Sequence, residues 1–389
     1  MQLSFDEERL NGVVRAPALP PFSDKVIAFL NDLSGVLMKT GRSFSDVVTF
    51  AYWCRKAAVT KAKENYTDLG QRLGRGVVFH IAPSNVPVNF AFSMVSGLLA
   101  GNKNIVRLSS KPFAQVDIIA DAIEKVIDES YPEFKDYIYL LRYDHSDEIT
   151  AKLSAVADTR VIWGGDTTIA TIRRAPLKAR ANEITFADRH ALCVMSADAY
   201  NAADNKDQVI LKFYNDTYFS DQNACTSPRI VVWTGEGIEE AKKDFWDRLG
   251  QKTEKDYHIE PVQIVGKLSM LMEASTAEPL HLKTSLNAPK LMVAETEKID
   301  DRLMEFKYNS GYFYEYSTQD LTDILPLCDT RCSTIAYYGD VADKLLKVVT
   351  DSGCPGVDRI VPLGTTMDFS LRWDGYDLII SMSRFIGVN

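Results

Sequence analysis

Cys225 lies in a short polar loop, FSDQNACTSP, directly before the apolar run RIVVW. Other cysteines have apolar neighbours, for example Cys54 in AYWCRKA and Cys193 in ALCVM. A thiolate is a strong nucleophile that needs partial exposure and nearby hydrogen-bond donors, and a loop between a helix and a strand supplies both. The local sequence leaves two interpretations open: a nucleophile, or a cysteine that fills space at the start of a strand.

A second candidate is the segment IAPSNVPVNF, in which Pro83 and Pro87 stiffen the loop that contains Asn85. The loop follows a predicted strand, and ligand sites of open α/β sheets lie at the carboxyl ends of strands. A rigidly held side-chain amide there could donate a hydrogen bond to a developing oxyanion. The alternative is an ordinary turn asparagine.

Two further segments follow predicted strands and carry groups that suit a nucleotide. The turn in WGGDTTIATIRR would present free backbone N–H groups to a phosphate, although a double glycine before a helix is common. The loop in LSSKP offers hydroxyls and an ammonium to a ribose or its 2′-phosphate, or it is a solvated loop. The candidate cofactor-binding residues are Ser84, Ser109, Ser110, Lys111, Gly164, Gly165, Asp166 and Thr167.

The overall composition narrows the function classes. The chain has 389 residues, a net charge of -9 and no block of Lys and Arg, which disfavours nucleic acids and anionic membrane surfaces as partners. It contains no apolar run of about 18 residues, so no membrane span is expected. Six cysteines without CxxC spacing indicate reduced thiols and a cytoplasmic protein. Cys328 and Cys332 lack the further ligands of a zinc site, so no metal is expected.

The elements that must position these residues alternate between strand and helix from residue 76 onward, which predicts parallel βαβ units covered on both faces. Before that, the spacing of Ser43 and Asp46 predicts a capped helix that continues through VVTFAYWCRKAAVTKAKENY. The expected domains are 1–189, with N-terminal helices and a cofactor-binding fold, 190–360, with the cysteine, and 361–389. Asp374-Gly375 predicts a hairpin in the last of these.

The candidate segments, in this order, resemble a known family. APSNVP, GNKNIVRLSSKP and WGGDTTI resemble the PWNFP, GNTVVLKPSE and FTGSTEVG motifs of the aldehyde dehydrogenase superfamily. The longer stretches FHIAPSNVPVNFAFSMVSGLLAGN, VIWGGDTTI, DQNACTSPR and DRIVPLG…WDGYDL resemble the LuxC-type acyl-CoA reductases. The resemblance runs from about Gly74 to the C-terminus. It implies an aldehyde-dehydrogenase-like α/β fold with a Rossmann-like cofactor domain, a catalytic domain and a C-terminal hairpin.

The resemblance also implies roles for single residues. Cys225 matches the family's nucleophile, which would attack an acyl carbonyl, expel the thiol of coenzyme A and hold the acyl group as a thioester. Asn85 matches the oxyanion amide, which works beside the backbone N–H of Cys225. Hydride from a reduced nicotinamide would then yield the aldehyde. The WGGD turn matches the pyrophosphate-binding segment, and Lys111 replaces a common glutamate, which favours NADPH, with NADH as the alternative.

Glu183, in NEITFADRH, corresponds to the glutamate that activates water in ELGGK of hydrolytic members, but the two glycines are missing. A catalytic role for Glu183 and a structural one both remain open. Rival functions are a hydrolytic NAD(P)-dependent aldehyde dehydrogenase and a cysteine acyltransferase or hydrolase that uses His80 or His190. Acyl-CoA, or another activated acyl donor, is the expected substrate. The exposed edge of the hairpin predicts a homodimer or homotetramer.

Overall fold

The computed structural model describes residues 3–83, 85–144, 146–284 and 287–388. The chain divides into two compact units. The first comprises Met1–Ala187 together with Phe369–Asn389, and the second comprises Asp188–Asp368. Within the described residues, no helix is both long enough and apolar enough to cross a bilayer.

The first unit begins with four helices and continues with alternating strands and helices. Its elements up to Ala187 are α1 (Glu7–Arg15), α2 (Asp24–Thr40), α3 (Ser45–Trp53), α4 (Lys56–Lys63), β1 (Arg72–Gly74), β2 (Val77–Ile81), α5 (Asn89–Leu99), β3 (Lys103–Arg107), α6 (Ala114–Ser130), β4 (Ile138–Leu141), α7 (Asp147–Val156), β5 (Thr159–Trp163), α8 (Asp166–Ile172) and β6 (Asn182–Phe186).

The second unit and the C-terminal segment complete the chain. The second unit contains β7 (His190–Ser196), α9 (Ala197–Asn201), α10 (Lys206–Thr217), β8 (Pro228–Thr234), α11 (Ile238–Asp256), α12 (Pro261–Ala277), β9 (Leu280–Leu282), β10 (Met292–Thr296), β11 (Tyr312–Ser317), β12 (Cys332–Tyr338), α13 (Ala342–Ser352) and β13 (Arg359–Pro362). The C-terminal segment contains β14 (Arg372–Trp373), β15 (Tyr376–Asp377), α14 (Leu378–Met382) and β16 (Ser383–Phe385).

A five-stranded parallel sheet, in the order β4-β3-β2-β5-β6, forms the centre of the first unit. Every residue of β2, β4 and β5 is buried. A strand covered on both faces needs apolar side chains without alternation, which is why VVFHI and IYLL are nearly continuous apolar runs. The expected parallel βαβ architecture is confirmed.

The helix predicted from Ser43 onward is wrong in two respects. Its first cap is Phe44, which makes no side-chain capping bond, and the helix breaks at Cys54 and Arg55. The break is stabilised from outside the segment, because Asn31 of α2 accepts the N–H of Lys56 at 3.2 Å. Local helix propensity therefore yields to a tertiary contact.

The second unit is built on a seven-stranded sheet in the order β13-β12-β7-β8-β11-β10-β9. All neighbouring strands are parallel except β9, which runs antiparallel to β10. The central strands β7 and β8 are buried along almost their whole length. β8 begins at Pro228, three residues after Cys225, so the cysteine lies next to the first residues of a fully buried strand.

The C-terminal segment belongs to the first unit. Its predicted hairpin is confirmed: β14 and β15 pair antiparallel around Asp374 and Gly375, both of which have positive φ. The last strand, β16, pairs antiparallel with β1. Leu378, Ile379 and Met382 are buried in the same apolar core as the N-terminal helices.

Candidate active site

Cys225 lies in a tight turn between α10 and β8. The turn is closed by a hydrogen bond from the N–H of Ser227 to the carbonyl of Ala224, 3.0 Å long. Cys225 is only partly buried, whereas Cys54, Cys193, Cys328 and Cys332 are buried. Cys354 is the other half-exposed cysteine. Exposure of this degree in a polar turn matches what a nucleophilic thiol requires.

Gln222 fastens the approach to this turn. It is fully buried, and its amide donates to the carbonyls of Pro228 and Tyr312 at 3.2 and 3.3 Å. Its oxygen accepts the N–H groups of Gly311 and Tyr312 at 2.7 and 3.1 Å. The backbone of Gln222 is left-handed, with φ 52°, as is that of Asp221. A left-handed backbone conformation costs free energy at a residue other than glycine. Asp221 and Gln222 keep this conformation because the hydrogen bonds of their side chains hold the loop in place.

Asp221 connects the same loop to α12. Its carboxylate accepts from Gln263 at 2.7 Å, from Ser310 at 3.1 Å and from the Tyr257 hydroxyl. Lys267, also on α12, is fully buried and donates to the carbonyl of Ser310 at 2.6 Å. Burial lowers the pKa of Lys267 to about 8. Hydrogen bonds to Asp221 thus attach the cysteine loop to Tyr257, Gln263 and Ser310.

A second loop of the same unit reaches the residue after the cysteine. The hydroxyl of Thr226 contacts the sulfur of Met367 at 3.6 Å. The loop before Met367 is held by Asp216, whose carboxylate accepts the N–H groups of Gly364 and Thr366 at 2.6 and 3.1 Å. Asp216 therefore orders the loop that leads to Met367, the residue that contacts Thr226 next to Cys225.

In the first unit, the cofactor candidates lie at one edge of the sheet. Asn85 follows β2, Ser109–Lys111 follows β3, and Gly164–Thr167 follows β5, and these three strands are neighbours. Their carboxyl ends therefore meet at the same edge. Asn85, Ser110, Lys111, Gly165, Asp166 and Thr167 are exposed, and Ser109 and Gly164 are half-buried. Ser84 lies outside the described residues.

A buried hydrogen-bond network underlies that edge. The Trp163 indole donates to the Ser93 hydroxyl at 3.0 Å, and this hydroxyl bonds His80 Nδ1 at 2.8 Å. His80 Nε2 lies 2.9 Å from Asn104 Oδ1, so Nε2 carries the proton and Nδ1 accepts from Ser93. Burial lowers the pKa of His80 to about 4, and the ring is neutral. His80 is a core residue that joins β2, β3 and β5.

Glu183 is not brought to this edge. It is the second residue of β6, and its carboxylate pairs with Arg160 at 2.8 Å and with Arg173 at 2.6 Å. His190 is likewise buried: its Nε2 bonds the carbonyl of Leu327 at 2.9 Å, and burial lowers its pKa to about 4. Both groups occupy structural contacts in their own units.

Gln222 and Arg229 are functional candidates that the sequence analysis did not single out. Arg229 is 5% exposed and donates to the carbonyl of Tyr308 at 2.6 Å, to Asn309 Oδ1 at 2.7 Å and to the carbonyl of Gln222. The sequence did offer one signal for Arg229, which is an arginine at the start of an apolar strand. A guanidinium buried there needs several hydrogen-bond acceptors, and these acceptors tie it to neighbouring loops.

Among the residues that the structure describes, no group of three or more His, Cys, Asp or Glu side chains is placed to hold a metal ion.

Known structures define the class of fold. The chain resembles solved aldehyde dehydrogenases. One of them is the methylmalonate-semialdehyde dehydrogenase of Oceanimonas doudoroffii, with a TM-score of 0.67 and 12% sequence identity, over 97% of this chain and 88% of that one. The protein has an aldehyde-dehydrogenase-like fold, as the sequence predicted.

The family follows from sequence. The profile of the family described as acyl-CoA reductase (LuxC) matches residues 54–298, more than half of the chain, and the chain belongs to this family. The long-chain acyl-protein thioester reductase 2 of Photobacterium leiognathi is 27% identical over 193 residues, which are 49% of this chain and 37% of that protein. The corresponding reductase of Aliivibrio fischeri is 23% identical over 306 residues, 75% of this chain and 58% of that protein. The chain thus spans roughly a third to three fifths of these relatives' length.

Proposed function

We propose that the protein reduces an activated acyl thioester, such as an acyl-CoA, to an aldehyde through an acyl-cysteine at Cys225. The observation that supports this most is the environment of Cys225, which is only partly buried and lies in a turn directly after Gln222, a residue held by four hydrogen bonds. Membership of the acyl-CoA reductase family supports the reaction class. The relatives' names support thioesters as the substrate class.

The reaction has two covalent stages. Cys225 attacks the acyl carbonyl carbon, a carbon–sulfur bond forms, and the coenzyme A thiolate leaves and takes up a proton. NADPH, when bound, would supply the hydride that reduces the resulting thioester, and a proton from solvent would complete the thiohemiacetal. Loss of the hydroxyl proton and cleavage of the carbon–sulfur bond release the aldehyde and return the Cys225 thiolate. The oxyanion role of Asn85 stays a prediction, which Asn85→Ala tests through a lower kcat.

The residues at the sheet edge of the first unit fit a dinucleotide. Among the described residues, apart from its chain neighbours, none has a heavy atom within 4 Å of the position that a Cβ on Gly165 would occupy, so a ligand can approach this backbone closely. The Ser109 hydroxyl already accepts the N–H of Lys111 at 3.1 Å, which orders the loop that carries the lysine. Gly164–Thr167 would hold the pyrophosphate and Lys111 the 2′-phosphate of NADPH.

Lys111→Glu tests the cofactor preference. Replacing an attraction by a repulsion should lower the ratio of kcat/KM for NADPH to that for NADH by about tenfold. Lys125→Glu, an exposed lysine on α6, is the matched control and should leave the ratio unchanged. An unchanged ratio in Lys111→Glu would show that this lysine does not contact the nucleotide.

Two rival functions lose support from the contacts of their required bases. A hydrolytic aldehyde dehydrogenase needs a free carboxylate, but Glu183 is paired with Arg160 and Arg173. A cysteine hydrolase needs an imidazole that can take a proton, but His80 and His190 are buried and have a pKa of about 4. Reduction of the acyl-cysteine needs neither group.

The decisive experiment follows the loss of absorbance at 340 nm with NADPH or NADH and a panel of acyl-CoAs. Oxidation of the nicotinamide should depend on acyl-CoA and disappear in Cys225→Ala. Cys354→Ala, which removes the other half-exposed thiol, should retain full activity. Acyl-CoA-dependent oxidation that survives in Cys225→Ala would refute the proposed nucleophile, and aldehyde oxidation without coenzyme A would favour the hydrolytic alternative.

The proposal also includes that the protein is a homodimer or homotetramer and that it is located in the cytoplasm. Phe385, Ile386 and Val388 are exposed apolar residues at the end of the β1–β16 pair, where a second copy could cover them. Light scattering at micromolar concentration should report a dimer or tetramer, and Phe385→Lys should shift it to the monomer. A monomeric wild-type protein would contradict the prediction, and cell fractionation tests the location.

A further inference from the structure

The guanidinium of Arg229 joins the start of the loop that carries Cys225 to the loop that contains Tyr308. Arg229 follows the cysteine by four residues, yet its side chain reaches back to the carbonyl of Gln222, three residues before the cysteine. Its other terminal nitrogen donates to the carbonyl of Tyr308 and to Asn309 Oδ1. These contacts fix a buried positive charge beside the cysteine turn.

Arg229 keeps its charge in this environment. Burial lowers its pKa to about 10, while the carboxylates of Asp188 and Asp221 and the ionised form of Cys225 oppose that shift. The guanidinium is therefore protonated at neutral pH. Electrostatic coupling is reciprocal, so an anion on Cys225 is stabilised by Arg229 as much as it stabilises Arg229.

The two nearby carboxylates do not cancel this cation. Asp188 pairs with Lys307 at 3.0 Å. Asp221 accepts hydrogen bonds from neighbouring side chains and faces the charge of the buried Lys267. Lys307, Lys267 and Arg229 are thus three cations against the two carboxylates. The hydrogen bonds of Arg229 go to neutral acceptors, so they leave its charge uncompensated.

We propose that Arg229 stabilises the thiolate of Cys225 and so prepares the nucleophile. The inference rests on the proposed function only in taking Cys225 as the nucleophile. It also explains how the thiol is activated although His80 and His190 are held in buried structural contacts. Arg229 acts through the cysteine and is a positioning residue. A nearby cation that favours the thiolate lowers the pKa of a thiol, by about 1 to 3 units at close range.

The test is the pH dependence of alkylation of Cys225 by iodoacetamide, followed by peptide mass spectrometry in the absence of acyl-CoA and nicotinamide. In the wild-type protein the midpoint should lie below about 8.5, the value of a free cysteine. Cys354 in the same sample is the internal reference. Arg229→Gln should raise the Cys225 midpoint by about one unit or more and slow alkylation at pH 7 about tenfold.

Two variants separate charge from structure. Arg229→Lys keeps the cation and should restore most of the low midpoint. Asn309→Ala removes one acceptor of Arg229 without changing any charge, and its midpoint should equal that of the wild type. Equal shifts in Asn309→Ala and Arg229→Gln would overturn the proposal. So would a wild-type midpoint at or above about 8.5, a measurement that needs no variant to fold.

Failure of this inference is distinguishable from failure of the proposed function. Alkylation reports the thiol alone, whereas the proposed function fails when acyl-CoA-dependent oxidation of NADPH survives in Cys225→Ala. A normal loss of activity in Cys225→Ala together with an unmoved alkylation midpoint in Arg229→Gln would retain the reductase and reject Arg229 as its activator.

Discussion

Replacing the buried Asp216 by asparagine should change the pH dependence of stability in a defined direction. The side chain is 1% exposed and accepts two backbone N–H groups from the loop Gly364–Thr366. Burial, the largest influence, raises its pKa from 3.8 to about 6, and the two N–H groups oppose the rise. The carboxyl group is therefore protonated more readily in the folded protein than in the unfolded chain.

The sign and size follow from this difference. Because the unfolded chain releases this proton first, stability is lost as pH rises from about 4 through 6 and stays lower above that. With pKa values of 3.8 and about 6, ionisation of Asp216 costs about 1 kcal/mol at pH 4.5 and about 3 kcal/mol at pH 7.5. Asp216→Asn has no ionisation cost, although it loses one of the two N–H contacts at either pH.

The assay is urea unfolding of both proteins at pH 4.5 and 7.5, followed by tryptophan fluorescence. The free energy of unfolding of the wild type, relative to the variant, should fall by about 2 kcal/mol between the two pH values. Other titrating groups, including the nearby Asp368, are present in both proteins, so their contributions largely cancel. A constant difference, or one that grows toward pH 7.5, would show that the two N–H groups outweigh burial and would refute the reasoning.

Three other substitutions test the packing of each unit. Gly97→Ala would place a Cβ 2.0 Å from Asn104 Oδ1, and the displaced amide should lower the free energy of unfolding by about 2 to 3 kcal/mol in a urea titration. Lys242→Met removes the cation 3.2 Å from the buried Glu315 carboxylate and should cost about 3 kcal/mol at pH 7.5. Because a raised pKa lets Glu315 take up a proton, that loss should be smaller at pH 5. Asn102→Ala removes three buried hydrogen bonds and should lower the thermal midpoint by several degrees.

Two control variants isolate the causes. Gly35→Ala lies in α2, where no heavy atom of the described residues outside the local helix backbone and its chain neighbours is within 4 Å of the new Cβ. It should be neutral or stabilising by up to about 1 kcal/mol. Lys243→Met removes an exposed pair with Asp247 and should change stability by less than about 0.5 kcal/mol. A Gly97→Ala protein as stable as Gly35→Ala would contradict the steric argument, and equal losses in Lys242→Met and Lys243→Met would contradict the buried-charge argument.

The strands and the location of the cysteine could be predicted because their signals are local. Buried parallel strands require continuous apolar runs, and Val77–Ile81 and Pro228–Thr234 are such runs. Cys225 differs from the other cysteines in its polar neighbours, and the structure finds it half-exposed. Asp374-Gly375 has the residue types that a tight hairpin needs, and the hairpin forms.

The parts that could not be predicted depend on contacts between residues far apart in sequence. The break at Cys54 and Arg55 is stabilised by a hydrogen bond from the N–H of Lys56 to Asn31, and the sequence of the helix itself does not indicate the break. Gln222 finds its partners at Gly311 and Tyr312, about ninety residues later. The fold also gives Glu183 two arginine partners, which the sequence alone did not indicate.

The first unit is the last to be completed during synthesis, because part of it follows the second unit in the chain. The first unit is interrupted by the whole of Asp188–Asp368 and takes back Phe369–Asn389, whose last strand covers Arg72–Gly74. A polypeptide that ends at Asp368 therefore has an unfinished first unit, whereas the insert is contiguous in sequence and complete. Truncating the chain after Asp368 should leave a protein in which only the insert survives brief digestion.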